Sequence, residues 1–403
     1  MTDTDNAAPE MQLLLLCARS FAAGTEAITT AKANCLLAQV DDWSQFLLLV
    51  RDHHCVPVVY RWFRNIEQGE ESLEVPEQVI EELRDLYLRS AGYSLRLARE
   101  ANRIQAALKE HGVLAVLIKG PALAVQGFGT TSMRQFSDLD LVIEREDIEG
   151  AMPLLSDLGF RLEGVVPVSD MRLYTRLLKE WTFVSDDNRT ILDIHTMAGS
   201  HTVSSSAMTS EVLKHIEEVA FDDDRRTIAT VKPTSMLVIV CMGGACEMWK
   251  KLSDVVDVAA LLSTYRDTDW PGLLGWAERW GEKRSVLIGV HMAGSLLGLK
   301  MPRAFEDALR KDTGARKLAQ AAAQRIMGGG STALDTVRER MFALRTRSRT
   351  GDGGRYLLRE LFVPSTVELN MISLPRWLYS AYYCIRPIRL LWDAMGLGPK
   401  RSL

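Results

Sequence analysis

RQFSDLDLVI, residues 134–143, sets two aspartates one residue apart at the head of an apolar run. A strand turns successive side chains to opposite faces, so Asp138 and Asp140 share one side and Leu139 and Leu141 the other. Two carboxylates one pleat apart repel each other unless a cation stands between them. A hard divalent ion such as Mg2+ meets that need, held by few carboxylates and completed by substrate phosphates. A two-metal version supports phosphoryl or nucleotidyl transfer by activating a hydroxyl and stabilising charge on the phosphorus oxygens. D-x-D alone is a weak signal, because acidic pairs often only solvate the edge of a sheet.

The residues around it sharpen the signal. VLAVLI (113–118) is a short apolar run of the kind found in buried strands, and it ends at Lys119-Gly120-Pro121. ALAVQGFG (122–129) then predicts a short helix, and EDIEGAMPLLSDLGF (146–160) an amphipathic one closed at Gly159. EWTFVSDD and RTILDIH (180–195) predict a hairpin across the turn-forming Asp-Asp-Asn. Asp193 on that second strand is the candidate third acid, sharing a face with Ile191 and His195. Lys119 and Arg134 supply positive charge, Gly120 allows close backbone approach to phosphates, and Ser137 can cap or contact the site. For Lys119 and Arg134, salt-bridging to the acids is an equal alternative. His195 reads as an orienting or packing residue beside the site.

The chain around this unit is helical. Residues 11–112 carry apolar residues at helical spacing, including a segment from Pro76 to Gly112 in which Gly92 is a potential break. His53 and His54 read as ordinary core or surface histidines. From about residue 211 the pattern is helical again. The glycine-rich GGGSTALD (328–335) and GDGG (351–354) follow no strand and read as linkers. The basic residues Arg386, Arg389, Lys400 and Arg401 read as a solvated helix face.

Composition narrows the class. The chain has 403 residues, 47% hydrophobic and 25% charged, with a formal net charge of −4. That balance fits a soluble globular protein of two or three domains and argues against non-specific nucleic-acid binding. Six scattered cysteines without a C-x-x-C pair predict free thiols in a reducing cytoplasm. The acidic first ten residues lack the basic region of a secretory signal, and no apolar run is long enough to span a bilayer.

The segment 116–160, with its Lys-Gly, Arg and D-x-D-L elements, resembles an uncharacterised bacterial nucleotidyltransferase family within the DNA polymerase β-like nucleotidyltransferase superfamily. DDWSQFLLLVRDHHCVPVVYRWF (41–63), ILDIH (191–195), MWKKLSDVVDVAALL (248–262) and LPRWLYSAYYCIRPIRLL (374–391) are similar to further segments of that family. The resemblance implies an α+β fold, a small mixed-sheet core at 113–200. Helical regions flank it at 1–112, 201–330 and 331–403. It implies transfer of a nucleoside monophosphate from an NTP such as ATP to a hydroxyl on a peptide, protein, saccharide or small molecule. Two Mg2+ ions, or Mn2+ in their place, would be held by Asp138, Asp140 and Asp193, with Lys119, Gly120 and Arg134 on the phosphates. A transferase using a nucleotide-activated sugar, or an inactive nucleotide-binding module, is the alternative.

Overall fold

The computed structural model describes residues 7–23, 30–67, 75–163, 178–198, 206–328, 335–347, 351–372 and 374–394. Its centre is a mixed seven-stranded sheet in the order β3-β4-β5-β2-β1-β7-β6. The strands are β1 (Val116–Leu117), β2 (Asp138–Val142), β3 (Phe160–Leu162), β4 (Glu180–Ser185), β5 (Ile191–His195), β6 (Ile216–Ala220) and β7 (Thr227–Val231). The expected β4–β5 hairpin is present, with Asn188 in the left-handed conformation its turn requires. β2 runs antiparallel to β1 and parallel to β5.

The sheet extends past residue 200, where the sequence pattern indicates only helices. β6 and β7 form an antiparallel hairpin, and β7 pairs in parallel with β1. β6 alternates exposed and half-exposed residues, so it carries no continuous apolar face for a pattern to reveal. Gln105 ties this addition to the core. Its amide donates to the carbonyls of Ala115 (2.9 Å) and Ala229 (2.8 Å), and its oxygen accepts from the Ala229 N–H (2.9 Å). Gln105 lies on the helix Glu77–Glu110, whose buried stripe includes Leu97, Ala101, Ile104 and Leu108. Gly92 does not break that helix. A side chain there would meet only open space, and the helix continues through it.

Two further stretches differ from what their sequence pattern indicates. GDGG opens a helix rather than a linker: Gly351 takes a left-handed φ of 95° and Asp352–Phe362 follows as helix. Residues 329–334 of the other glycine-rich stretch lie outside the described residues. Arg386 and Arg389 are buried instead of solvated, both paired with the buried carboxylate of Glu368. The pattern hides this because Glu368 lies 18 and 21 residues away from its partners. Lys400 and Arg401 lie outside the described residues. Among the described residues no helix is long and apolar enough to cross a membrane.

Two helices, Pro233–Cys246 and Lys283–Leu297, close on the buried indole of Trp249. An added Cβ at Gly244 or at Gly289 would sit 2.7 Å from that ring. These glycines therefore fix the turn that leads from residue 247 into the helix Leu252–Thr264. Gly244→Ala or Gly289→Ala is expected to destabilise the fold by about 1–3 kcal/mol through overpacking. Urea unfolding reads this, and unchanged midpoints in both variants would contradict the packing described.

Candidate active site

Alternation along three neighbouring strands builds the site. Leu139 and Leu141 of β2, Leu192 and Ile194 of β5, and Trp181 and Phe183 of β4 point into the core. The intervening residues, Asp138, Asp140, Asp193, His195, Glu180 and Thr182, are left together on the opposite face. The parallel register sets Asp140 directly beside Asp193, and Thr182 beside Asp193 from the other side. Thr182 Oγ1 donates to Asp193 Oδ1 at 2.6 Å. His195 Nε2 lies 2.9 Å from Asp140 Oδ1, and its Nδ1 lies 3.8 Å from Glu180.

The acids do not titrate alike. Burial opposes the charge on Asp140, but the His195 hydrogen bond and Lys119 overcome it and hold the carboxyl down at about 2. Burial, with Glu180 and Asp140 adding repulsion, pushes Asp193 up to about 6 against the Thr182 bond. Burial and the charge of Asp140 also raise Asp138. Desolvation works against a charged His195, yet its bond to Asp140 raises it. One carboxylate is thus fixed and paired, and two are left short of positive charge.

Lys119 and Gly120 sit where β1 ends and the helix Gly120–Phe128 begins. Gly120 has a left-handed φ of 50°, and an added Cβ would lie 3.5 Å from the Asp138 carbonyl, so the helix N-terminus abuts the acidic strand. Lys119 runs over Gly243, whose missing side chain leaves room for the ammonium; a Cβ there would be 2.9 Å from Nζ. Burial works against its charge, but Asp140, then Glu247, raise its pKa. Ser137 is exposed at the strand entry, and its carbonyl accepts from the Tyr93 hydroxyl at 3.1 Å.

Arg134 is placed differently from Lys119. Its guanidinium forks onto Asp257, Nε to Oδ1 at 2.9 Å and Nη2 to Oδ2 at 3.0 Å, a bidentate pair that occupies it. Of the two roles open to Arg134, the structure shows salt-bridging, to an acid outside the D-x-D pair. Asp257 belongs to the helix Leu252–Thr264, and Asp254 precedes it by three residues on the same face. Burial, followed by Glu247 and Asp257, raises Asp254 to about 7. Asp254 and Asp257 were not singled out from sequence. The signal was present, an i, i+3 acid pair at the head of an otherwise apolar helix.

The donor set suits a hard divalent ion, because all three acids offer carboxylate oxygens and His195 takes only one oxygen of Asp140. Among the described residues no three His, Cys, Asp or Glu side chains are assembled at metal-ligand spacing. A cation would therefore draw Asp138 and Asp193 in toward Asp140.

Removing Asp257 would strand a buried guanidinium. Asp257→Ala is expected to lower stability by about 3–5 kcal/mol, as for other broken buried pairs. The double variant Arg134→Met, Asp257→Leu is expected to recover most of that loss in denaturant melts. An Asp257→Ala melt equal to the wild type would contradict a structural pair.

A comparison with curated proteins finds no match to this chain. A family model described as "Uncharacterised nucleotidyltransferase" matches residues 39–298, which takes in every strand of the sheet, the acidic row and the helix bearing Asp254 and Asp257. The chain belongs to that uncharacterised nucleotidyltransferase family.

Proposed function

We propose that the chain transfers a nucleoside monophosphate from a Mg2+-bound nucleoside triphosphate to a hydroxyl acceptor. The observation that carries this reading is the register of β2 and β5, which sets Asp193 beside Asp140 with Asp138 on the same face. Around them lie the ammonium of Lys119, which has no ion-pair partner among the described residues, and a helix N-terminus at Gly120, the charge pattern a metal–triphosphate needs.

Asp138, Asp140 and Asp193 would hold the divalent cation, and His195 would orient Asp140 from behind. When bound, the ion supplies Lewis-acid polarisation of the phosphate and lowers the pKa of the attacking hydroxyl. The chain's own part is to position. Gly120 lets backbone come close to a phosphate, and Lys119 places a cation on that side. Thr182 steers Asp193, whose raised carboxyl is suited to sharing a proton or a cation near neutral pH. The acceptor hydroxyl gives its proton to solvent as its oxygen joins the α-phosphorus, the bond from the α-phosphorus to the bridging oxygen breaks, and pyrophosphate leaves with that electron pair.

Asp138→Asn and Asp140→Asn are expected to lower Mg2+-dependent pyrophosphate release by about a thousandfold or more, consistent with losing electrostatic stabilisation at the reacting centre. Unchanged turnover in both would sink the reading. Tight NTP binding without turnover across a broad acceptor panel would instead identify a binding module. A hexose added to the acceptor in mass spectra would identify sugar transfer.

Asp193 gives a pH test whose sign is fixed. Its folded carboxyl lies above the unfolded value near 4. Its contribution to stability in metal-free protein is therefore full below about pH 4 and lost as pH rises through about 6. In EDTA, Asp193→Asn is expected to gain in Tm relative to wild type as pH goes from 5 to 7, and added Mg2+ should shrink the gain. A Tm difference that ignores both pH and Mg2+ would count against cation binding at Asp193.

A further inference from the structure

The helix Tyr382–Ala394 leaves an apolar stripe exposed among the described residues. Ile388, Leu391 and Trp392 point outward at 63%, 64% and 50% exposure. Their i, i+3, i+4 spacing puts them on one side of the helix. The other side carries Tyr382, Arg386 and Arg389, and these are its buried residues. The helix is inside out: its arginines face the protein, and its aliphatic and indole groups face outward.

Hydrogen bonds enforce this orientation. The buried carboxylate of Glu368 accepts from the Ser365 N–H and hydroxyl, each at 2.6 Å, from Arg386 at 3.4 Å and from Arg389. The Tyr382 hydroxyl donates to the Ile372 carbonyl at 2.6 Å and accepts from the Leu374 N–H at 3.1 Å, which ties down the chain that enters the helix. Trp377, in the turn Arg376–Ala381 between these anchors, is nevertheless 79% exposed. The helix Asp352–Phe362 packs against Tyr382–Ala394 and also exposes Leu357, Leu358 and Leu361. Burying a guanidinium costs desolvation, and an apolar stripe gains by leaving water. A helix that faced only water would gain by turning the other way, so the outward stripe is matched to an apolar partner.

We propose that this C-terminal region docks on an anionic lipid surface, with the stripe of Tyr382–Ala394 entering the interface. Charge favours lipid over a second copy of the chain. Residues 335–403 hold twelve Lys and Arg against six Asp and Glu, a formal charge of +6 in a chain whose total is −4. The surplus does not reside in the buried pairs. Leaving out Arg347, paired with the buried Glu282, and Arg386, Arg389 and Glu368, nine basic residues stand against five acidic ones. Two such regions brought together would repel, whereas anionic headgroups attract basic residues beside an apolar stripe. Tryptophan beside aliphatic groups is the mixture that settles at a membrane–water boundary. A nucleic acid would call for Lys and Arg on the exposed stripe, where Ile388 and Leu391 stand instead. At 13 residues the helix is too short to span a bilayer, so it lies along the surface. The region falls outside the family match at 39–298, and the proposal is independent of the transfer reading.

Flotation of the full chain with vesicles tests this, using phosphatidylcholine alone and phosphatidylcholine mixed with phosphatidylglycerol. The wild type is expected to partition onto the mixed vesicles at least about tenfold more strongly than onto phosphatidylcholine, with the difference shrinking at high salt. The double variant Leu391→Ser, Trp392→Ser is expected to lose about tenfold or more of that partitioning with an unchanged melting curve, because both side chains are exposed. Trp377→Ser, outside the helix, should weaken it several-fold. A wild type that does not float with mixed vesicles, or floats equally with both kinds, would overturn the proposal, as would unchanged flotation of the variants. A dimer in sedimentation that the double variant dissolves, without vesicle binding by the wild type, would overturn it in favour of a second copy.

Discussion

Three carboxylates held in register on one half-buried sheet face are the constraint from which the rest of this molecule follows. Parallel pairing of β2 with β5 leaves Asp140 and Asp193 no freedom to separate, and the pleat keeps Asp138 on the same side. Such a face is electrostatically incomplete. His195 satisfies one oxygen of Asp140, and Thr182 one oxygen of Asp193, but Asp138 and Asp193 still resist ionisation. Backbone register and core packing hold the repulsion in place, because Leu139, Leu141, Leu192 and Ile194 cannot leave the core to relieve it.

The helical regions answer this with cations delivered from several directions. The helix Gly120–Phe128 brings Lys119 to the strand ends. It is held close to the helix Leu252–Thr264, where a Cβ on Gly127 would lie 3.2 Å from Ala260. That second helix in turn fixes Arg134 through Asp257 and carries Lys251 at its start. The N-terminal helices reach the same place through His53. A charge network shared by three regions of the chain gives each of them a reason to be in the fold, beyond shielding the sheet.

Much of the centre was legible in sequence because period-2 alternation is local. RQFSDLDLVI and ILDIH each announce which residues face which way, and the parallel register needed only the two strands to be neighbours. The resemblance to a nucleotidyltransferase family, later met by the family match over residues 39–298, pointed to the same strands. What stayed hidden depends on distance along the chain. Nothing local tells Arg134 that its partner is Asp257, 123 residues away, or Arg389 that Glu368 will bury it. The β6–β7 hairpin escaped for a different reason: an exposed edge strand has no apolar stripe.

Where a divalent ion binds decides whether the three aspartates form a metal site. A crystal structure with Mn2+ and a non-hydrolysable nucleoside triphosphate, read by anomalous scattering, tests it most directly. A manganese peak ligated by Asp138, Asp140 and Asp193 and bridged to the nucleotide phosphates is expected, with the triphosphate running toward Lys119. A nucleotide bound away from β2, or a metal peak that none of the three aspartates touches, would contradict it.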